Sequence, residues 1–123
     1  MVTQFNETYK ADDIRKEPTV PTVEEMKAAG DIIIEELMEL AIAHEKGDKV
    51  EMFDAFVDIL YATAQQSHLY GFPIAEGLRE VHRSNMSKLG EDGKPIIRED
   101  GKVLKGPSYS PPNLQKILDA QGS

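Results

Sequence analysis

The sequence predicts an all-α fold: an antiparallel bundle of four to five helices with a small C-terminal β-hairpin, completed by oligomerisation. Three observations predict it. Apolar residues recur at intervals of three and four through long stretches, as in Phe53, Phe56, Val57, Leu60 and Ala64. Glycine, proline and capping residues cut those stretches into helix-length pieces. Near the C-terminus the periodicity changes, and two short β-prone runs in "PIIREDGKVLKGP" flank Asp100-Gly101.

The elements follow in order. Val2 to about Asp13 forms a short helix, which the Pro18 to Pro21 stretch breaks. Thr22 and Glu25 have the spacing of a capping box and open a long second helix that runs towards His44 and stops at Gly47. Asp48 caps a third helix, with Gly71 as its left-handed end, and the short loop between them makes the second and third helices antiparallel neighbours. Pro73 suits the first turn of a fourth helix, which carries Leu78, Val81 and Met86 on its apolar side and ends near Gly90. Asp100-Gly101 fits a two-residue type I′ turn, and a last short helix begins near Pro112. The chain reads as one domain, with a helical core over about 22–89 and the hairpin and C-terminal segment over about 90–123.

Composition narrows the function. Folded alone, a chain of 123 residues leaves roughly a third of its unfolded-state surface in water, so a small domain of this kind gains from association. A net charge of −8 argues against a nucleic-acid partner or an anionic membrane surface. The absence of cysteine excludes disulfides, thiolate metal sites and cysteine nucleophiles. No apolar run reaches the ~18 residues of a membrane span, and no basic region precedes an apolar stretch at the N-terminus, which reads as cytoplasmic. No glycine-rich loop opens a helix after a strand, so a P-loop kinase or a dinucleotide enzyme is not expected.

The unusual feature is acidic. "EELMEL" places Glu36 and Glu39 on one helical face, with Glu35 one step round, and Glu51, Asp54 and Asp58 follow one another at spacings of three and four on the next helix. Antiparallel packing turns the two stripes towards each other. Like charges on one helix face cost ~0.2–0.5 kcal/mol per pair at a surface, and more where the dielectric falls. Divalent cations remove that conflict, and an all-oxygen donor set suits Mg²⁺ or Mn²⁺, which share their remaining positions with water and phosphate. The alternative for Glu35-Glu36 is a solvated face, and for Glu51 a capping box with Asp48. Asp54 and Asp58 lie mid-helix among Phe53, Phe56, Val57, Ile59 and Leu60, where burying a charge without a partner is expensive.

"EELMEL", the acidic helix ending in "DILYATAQQ" and the downstream "EVHRSNMSKLGEDGKPIIREDGKVLKGP" resemble the MazG-like branch of the all-α nucleoside triphosphate pyrophosphohydrolases. That superfamily includes phosphoribosyl-ATP pyrophosphohydrolase and dimeric dUTPases. The similarity spans nearly the whole chain, and small phage-encoded members directed at dGTP are among the proteins it resembles; a phage-encoded protein would work in its host's cytoplasm. The resemblance implies Mg²⁺- or Mn²⁺-dependent attack of water on the α-phosphorus of a deoxynucleoside triphosphate, giving the monophosphate and pyrophosphate. It assigns Glu36, Glu39 and the aspartates to metal, with Glu35 able to accept the proton of the attacking water. In one respect the chain departs from the family: the second motif is an E-x-x-D pair followed by two apolar residues, and Ala55 stands where Asp58 would need its glutamate. Two registers stay open. Glu51 and Asp54 bind metal with Asp58 as an outer partner, or Asp54 and Asp58 bind metal with Glu51 as a cap. The first restores the motif and is preferred; Asp54 belongs to both.

An anion and a base also need ligands. Arg79, Arg83, Lys88, Lys94, Arg98, Lys102 and Lys105 make up half of the fourteen basic residues within a short stretch. Arg83, Asn85, Lys88, Lys102 and Lys105 are the candidates for the triphosphate, Asn85 and Lys88 sharing a helical face, and Tyr61 for stacking on the base, with a core role as its alternative. His44, His68 and His82 have no metal-ligand spacing. The expected assembly is a homodimer or homotetramer. The competing reading is a non-catalytic metal-binding helical module, regulatory or docking on another protein through its basic hairpin.

Overall fold

A computed structural model describes residues 1–121. Among them are five α-helices and one two-stranded antiparallel sheet: α1 (Val2–Tyr9), a 3₁₀ turn (Ala11–Asp13), α2 (Val23–Lys46), α3 (Lys49–Leu69), α4 (Ile74–Met86), β1 (Ile96–Ile97), β2 (Val103–Leu104) and α5 (Leu114–Gln121). The all-α expectation with a small hairpin holds. The chain forms two compact units, Met1–Phe72 and a second beginning at Pro73. None of the described helices is long and apolar enough to cross a membrane.

In the first unit α2 begins at the expected capping box: Thr22 Oγ1 accepts from the Glu25 N–H at 3.1 Å and Glu25 Oε1 from the Thr22 N–H at 3.0 Å. It ends at Gly47, after which the Asp48 side chain accepts from the Glu51 N–H and starts α3. Ala29 and Leu69 wall one cavity while His44 and Met52 wall another, so the two long helices run antiparallel. Their seam is made of small residues. Ala29 and Ala43 of α2 and Ala55, Ala62 and Leu69 of α3 are the buried apolar side chains, each 9% exposed or less. Alanine lets helix axes approach closely, and spacings of seven and fourteen residues keep each set on one face with a drift of only ~20° per seven residues. Large apolar residues fall on the outside instead. Phe53 and Leu60 are 71% and 72% exposed, and Ile34, Met38, Phe56 and Val57 are also exposed.

The expected N-terminal helix is shorter, stopping at Tyr9 before the 3₁₀ turn. Its Asn6 is wholly buried against α3, donating from Nδ2 to the Gln65 carbonyl at 3.0 Å and to His68 Nδ1 at 2.8 Å. The ring proton of a neutral His68 therefore sits on Nε2. Phe5 meets the Tyr61 ring edge-on, with centroids 5.9 Å apart. The segment that follows is tied to the end of α3 through Arg15 N–H to Leu69 O and Thr19 N–H to Tyr70 O, at 2.8 and 2.9 Å. Gly71 makes that crossing possible, since its φ is +81° and a Cβ there would stand 2.4 Å from the Glu17 carbonyl oxygen.

The second unit is held by side-chain hydrogen bonds. Glu80 of α4 grips Arg83 through both carboxylate oxygens, at 2.6 and 2.8 Å, and accepts the Asn113 N–H at 2.7 Å, while Asn113 Oδ1 caps α5 at Lys116. The carboxyl of Glu80 is accordingly lowered to about 2 by Arg83 first and the Asn113 N–H second. Helix α4 ends at Met86 rather than near Gly90, because Ser87 turns the chain: its Oγ donates to Ser84 O at 2.6 Å and accepts the Ser110 N–H at 2.9 Å. The hairpin exists with Ile96 opposite Leu104 and Ile97 opposite Val103, but its turn is not type I′. Gly101 alone has positive φ, and its N–H bonds to the Arg98 carbonyl, giving a three-residue loop with a left-handed glycine. Asp100 keeps a negative φ and instead pairs with Arg98 and accepts the Lys102 N–H.

Candidate active site

Glu36 lies seven residues from both Ala29 and Ala43, at the centre of the stripe by which α2 packs on α3. Asp58 lies between Ala55 and Ala62 on the facing stripe. The alanines that bring the helices together thus carry two carboxylates into the seam. Glu36 is half-buried, and its Oε2 is buried without a hydrogen-bond partner among the described residues. Its carboxyl is raised above the ordinary value, first by burial and then by the negative charges of Glu39, Asp58 and Asp54. Burial disfavours the charged form and like charges disfavour it further, so each cause points the same way. The ion pairs among the described residues join Arg15 to Glu25, Arg83 to Glu80 and Arg98 to Asp100, and none reaches these acids.

Glu39, Asp58 and Asp54 therefore all act on Glu36 through their charge, Asp58 half-buried and Glu39 and Asp54 exposed. Glu51 is not among the charges acting on Glu36; it is exposed in the first turn of α3, where its N–H bonds to Asp48. The charges acting on Glu36 are those of the register that pairs Asp54 with Asp58, and the register built on Glu51 and Asp54 is the other proposal for the metal ligands. Ala29 and Leu69 wall the same cavity, and in antiparallel helices that pairing sets Glu36 nearest the turn of α3 that runs from Asp58 to Ala62. Glu35 is exposed, one residue round from the seam.

Among the described residues no three His, Asp or Glu side chains stand close enough together to hold a metal ion. Mutual repulsion works against such closure in the protein chain alone. The donor set nevertheless fits a hard divalent cation: all its atoms are carboxylate oxygens, no basic side chain neutralises them, and one buried oxygen lacks a partner.

The other candidates are placed as follows. Tyr61, on α3, is 36% exposed and packed against Phe5. Arg83, Asn85, Lys88, Lys102 and Lys105 belong to the second unit. Arg83 is engaged by Glu80 and donates to the Pro111 carbonyl, and the Lys105 ammonium lies 4.8 Å from the Tyr109 ring centroid. Asn85 and Lys88 share the wall of a cavity of about 520 Å³ with Met86, Leu89, Pro95 and Val103, and Lys102 is exposed. Two features had no sequence signal strong enough to find them: the buried Asn6–His68 pair, and a cavity around Arg15, Gln66 and Tyr70, residues far apart in the chain.

The class of protein to which this helical unit belongs comes from the sequence comparison. Residues 2–85 match the family of phosphoribosyl-ATP pyrophosphohydrolase, and the chain belongs to that family, within the all-α NTP pyrophosphatase superfamily. Its members are pyrophosphohydrolases, which makes this chain one of a hydrolase family acting on nucleotides. A search of curated proteins finds no match.

Proposed function

We propose that the protein hydrolyses nucleoside triphosphates at the α-phosphorus, releasing pyrophosphate and the monophosphate, with deoxynucleotides and dGTP first among the substrates and Mg²⁺ or Mn²⁺ as the cofactor. The observation that carries this reading is Glu36: a half-buried carboxylate with an unpartnered buried oxygen, under the charges of Glu39, Asp58 and Asp54 and in none of the ion pairs among the described residues. Holding such a group is costly unless a ligand compensates it.

Glu36, Glu39, Asp54 and Asp58 are the residues that would hold the cation. Bound there, it supplies neutralisation of phosphate oxygens and acidification of a coordinated water. Glu36 stands midway between two buried alanines of α2, Ala29 and Ala43, which anchor the helix on either side of it. Glu35, exposed beside it, is available to take the proton of an attacking water.

The exposed apolar faces of α2 and α3 support a second proposal, that the protein works as a homodimer or homotetramer whose copies cover Phe53, Phe56 and Leu60. The competing reading, a non-catalytic metal-binding module, shares the carboxylates but predicts no turnover. An assay of pyrophosphate release over a panel of ribo- and deoxyribonucleoside triphosphates, with and without Mg²⁺ or Mn²⁺, separates the two. Metal-dependent pyrophosphate release is expected; metal binding without turnover of any triphosphate would overturn the enzymatic reading.

A further inference from the structure

The first unit contains a second feature on the same seam. Where α2, α3 and the segment after α1 meet, a cavity of about 340 Å³ opens, walled by Arg15, Ala28, Ile32, Gln66 and Tyr70 among others. That volume falls at the lower end for small-molecule sites. Ile32 is one turn from Glu36 along α2, and Gln66 is two turns beyond Asp58 along α3, offsets of ~6 and ~12 Å at 1.5 Å per residue. The cavity therefore lies on the same pair of helices as the carboxylates, one to two turns away.

Its chemistry differs from that of the carboxylates. Two cations, Lys10 and Arg15, are balanced by two carboxylates, Asp13 and Glu25, so the cavity has no net charge to offer a phosphate. Arg15 is pinned by Glu25 and by the Asp13 carbonyl and lies over the Tyr70 ring, 5.8 Å from its centroid, which makes a flat, rigid wall. The side-chain amide of Gln66 makes no hydrogen bond among the described residues, and it presents both a donor and an acceptor. A flat wall beside one free amide matches a planar heterocycle with a hydrogen-bonding edge.

We infer that this cavity receives the base and sugar of the nucleotide whose phosphates lie at the carboxylates, with Gln66 reading the edge of the base and the Arg15–Tyr70 pair flanking its plane. The inference rests on the proposed nucleotide substrate, and it makes Gln66 the residue that sets base preference and Ala28 the residue that sets the room available.

The test uses the full chain with Mg²⁺ and dAMP, dGMP, dCMP and TMP, monitored by NMR, because the monophosphates bind without turnover. At least one of them should shift the Gln66 side-chain amide and the Tyr70 ring. Ala28→Leu, from an exposed helix position, fills the cavity and should weaken that binding at least tenfold with an unchanged melting temperature; Gln66→Ala should level the affinities of the four. In steady-state kinetics both variants should raise KM more than they lower kcat. Saturating nucleotide that leaves Gln66 and Tyr70 unshifted, or an Ala28→Leu protein with wild-type affinity and KM, would overturn the inference. The hydrolytic reading fails separately: nucleotide bound in the cavity without pyrophosphate release supports this site and removes that activity.

Discussion

Replacing Phe53 and Leu60 together by serine should convert the proposed homodimer or homotetramer to monomers. The two side chains are seven residues apart on the outer face of α3 and 71% and 72% exposed in the single chain, so neither holds the protomer together. Fully burying such a side chain is worth ~1.5–3 kcal/mol, and about seven-tenths of that is still to be gained, or ~1–2 kcal/mol each. A two-fold interface uses the same patch on both copies, so four side chains are lost and ~4–8 kcal/mol with them. At ~1.4 kcal/mol per factor of ten, the dissociation constant should rise by about three to six orders of magnitude. Light scattering at micromolar concentration reads the mass, and circular dichroism should show unchanged helix content. A wild-type protein that is monomeric at that concentration, or a double variant with wild-type mass, would refute the reasoning.

Asp58→Asn and Asp54→Asn should both abolish turnover and weaken Mn²⁺ binding measured by titration calorimetry, while Glu51→Gln keeps both; an inactive Glu51→Gln beside an active Asp58→Asn would restore the other register. Glu36 carries a raised carboxyl, so the folded chain binds its proton more tightly than the unfolded one, and stability contributed by that proton is lost as pH rises from the ordinary 4.5 through the folded value. The metal-free melting temperature should therefore fall over that range, Glu36→Gln should flatten the fall, and Mg²⁺ should oppose it; a Glu36→Gln protein with the wild-type pH profile would count against the crowding of carboxylates. Gly71→Ala forces a left-handed backbone on alanine, ~1–2 kcal/mol by itself, and sets its Cβ 2.4 Å from Glu17 O, so urea unfolding should show a loss of at least ~2 kcal/mol. An unchanged midpoint would mean that the Glu17 crossing is not held as described.

The helices were legible because their boundaries are local chemistry. Thr22 and Glu25, Gly47 and Asp48 act within one turn of where they stand, and the structure uses each at a helix terminus. The hairpin was legible in position but not in turn type, because Asp100 serves its carboxylate to Arg98 and Lys102 instead of taking positive φ. At the carboxylates, the motif spacing pointed to Glu51, while the alanines at 29, 43, 55 and 62, which mark the seam between the two helices, were the bland signal. Small residues give little hydrophobic periodicity, and so the contact line was hidden beneath the stronger pattern of Phe53, Phe56 and Leu60, which faces outwards. The cavity beside it depends on Arg15 crossing to α3, a long-range contact with no periodic signature.

The most direct test of the account follows the oxygen. Incubating the protein with dGTP, Mg²⁺ and ¹⁸O-labelled water and resolving the products by ³¹P NMR and mass spectrometry identifies both the bond broken and the atom attacked. The account predicts dGMP carrying the label and unlabelled pyrophosphate as the first products, both absent with Asp58→Asn. Orthophosphate as the first product, or label in the pyrophosphate, would contradict it.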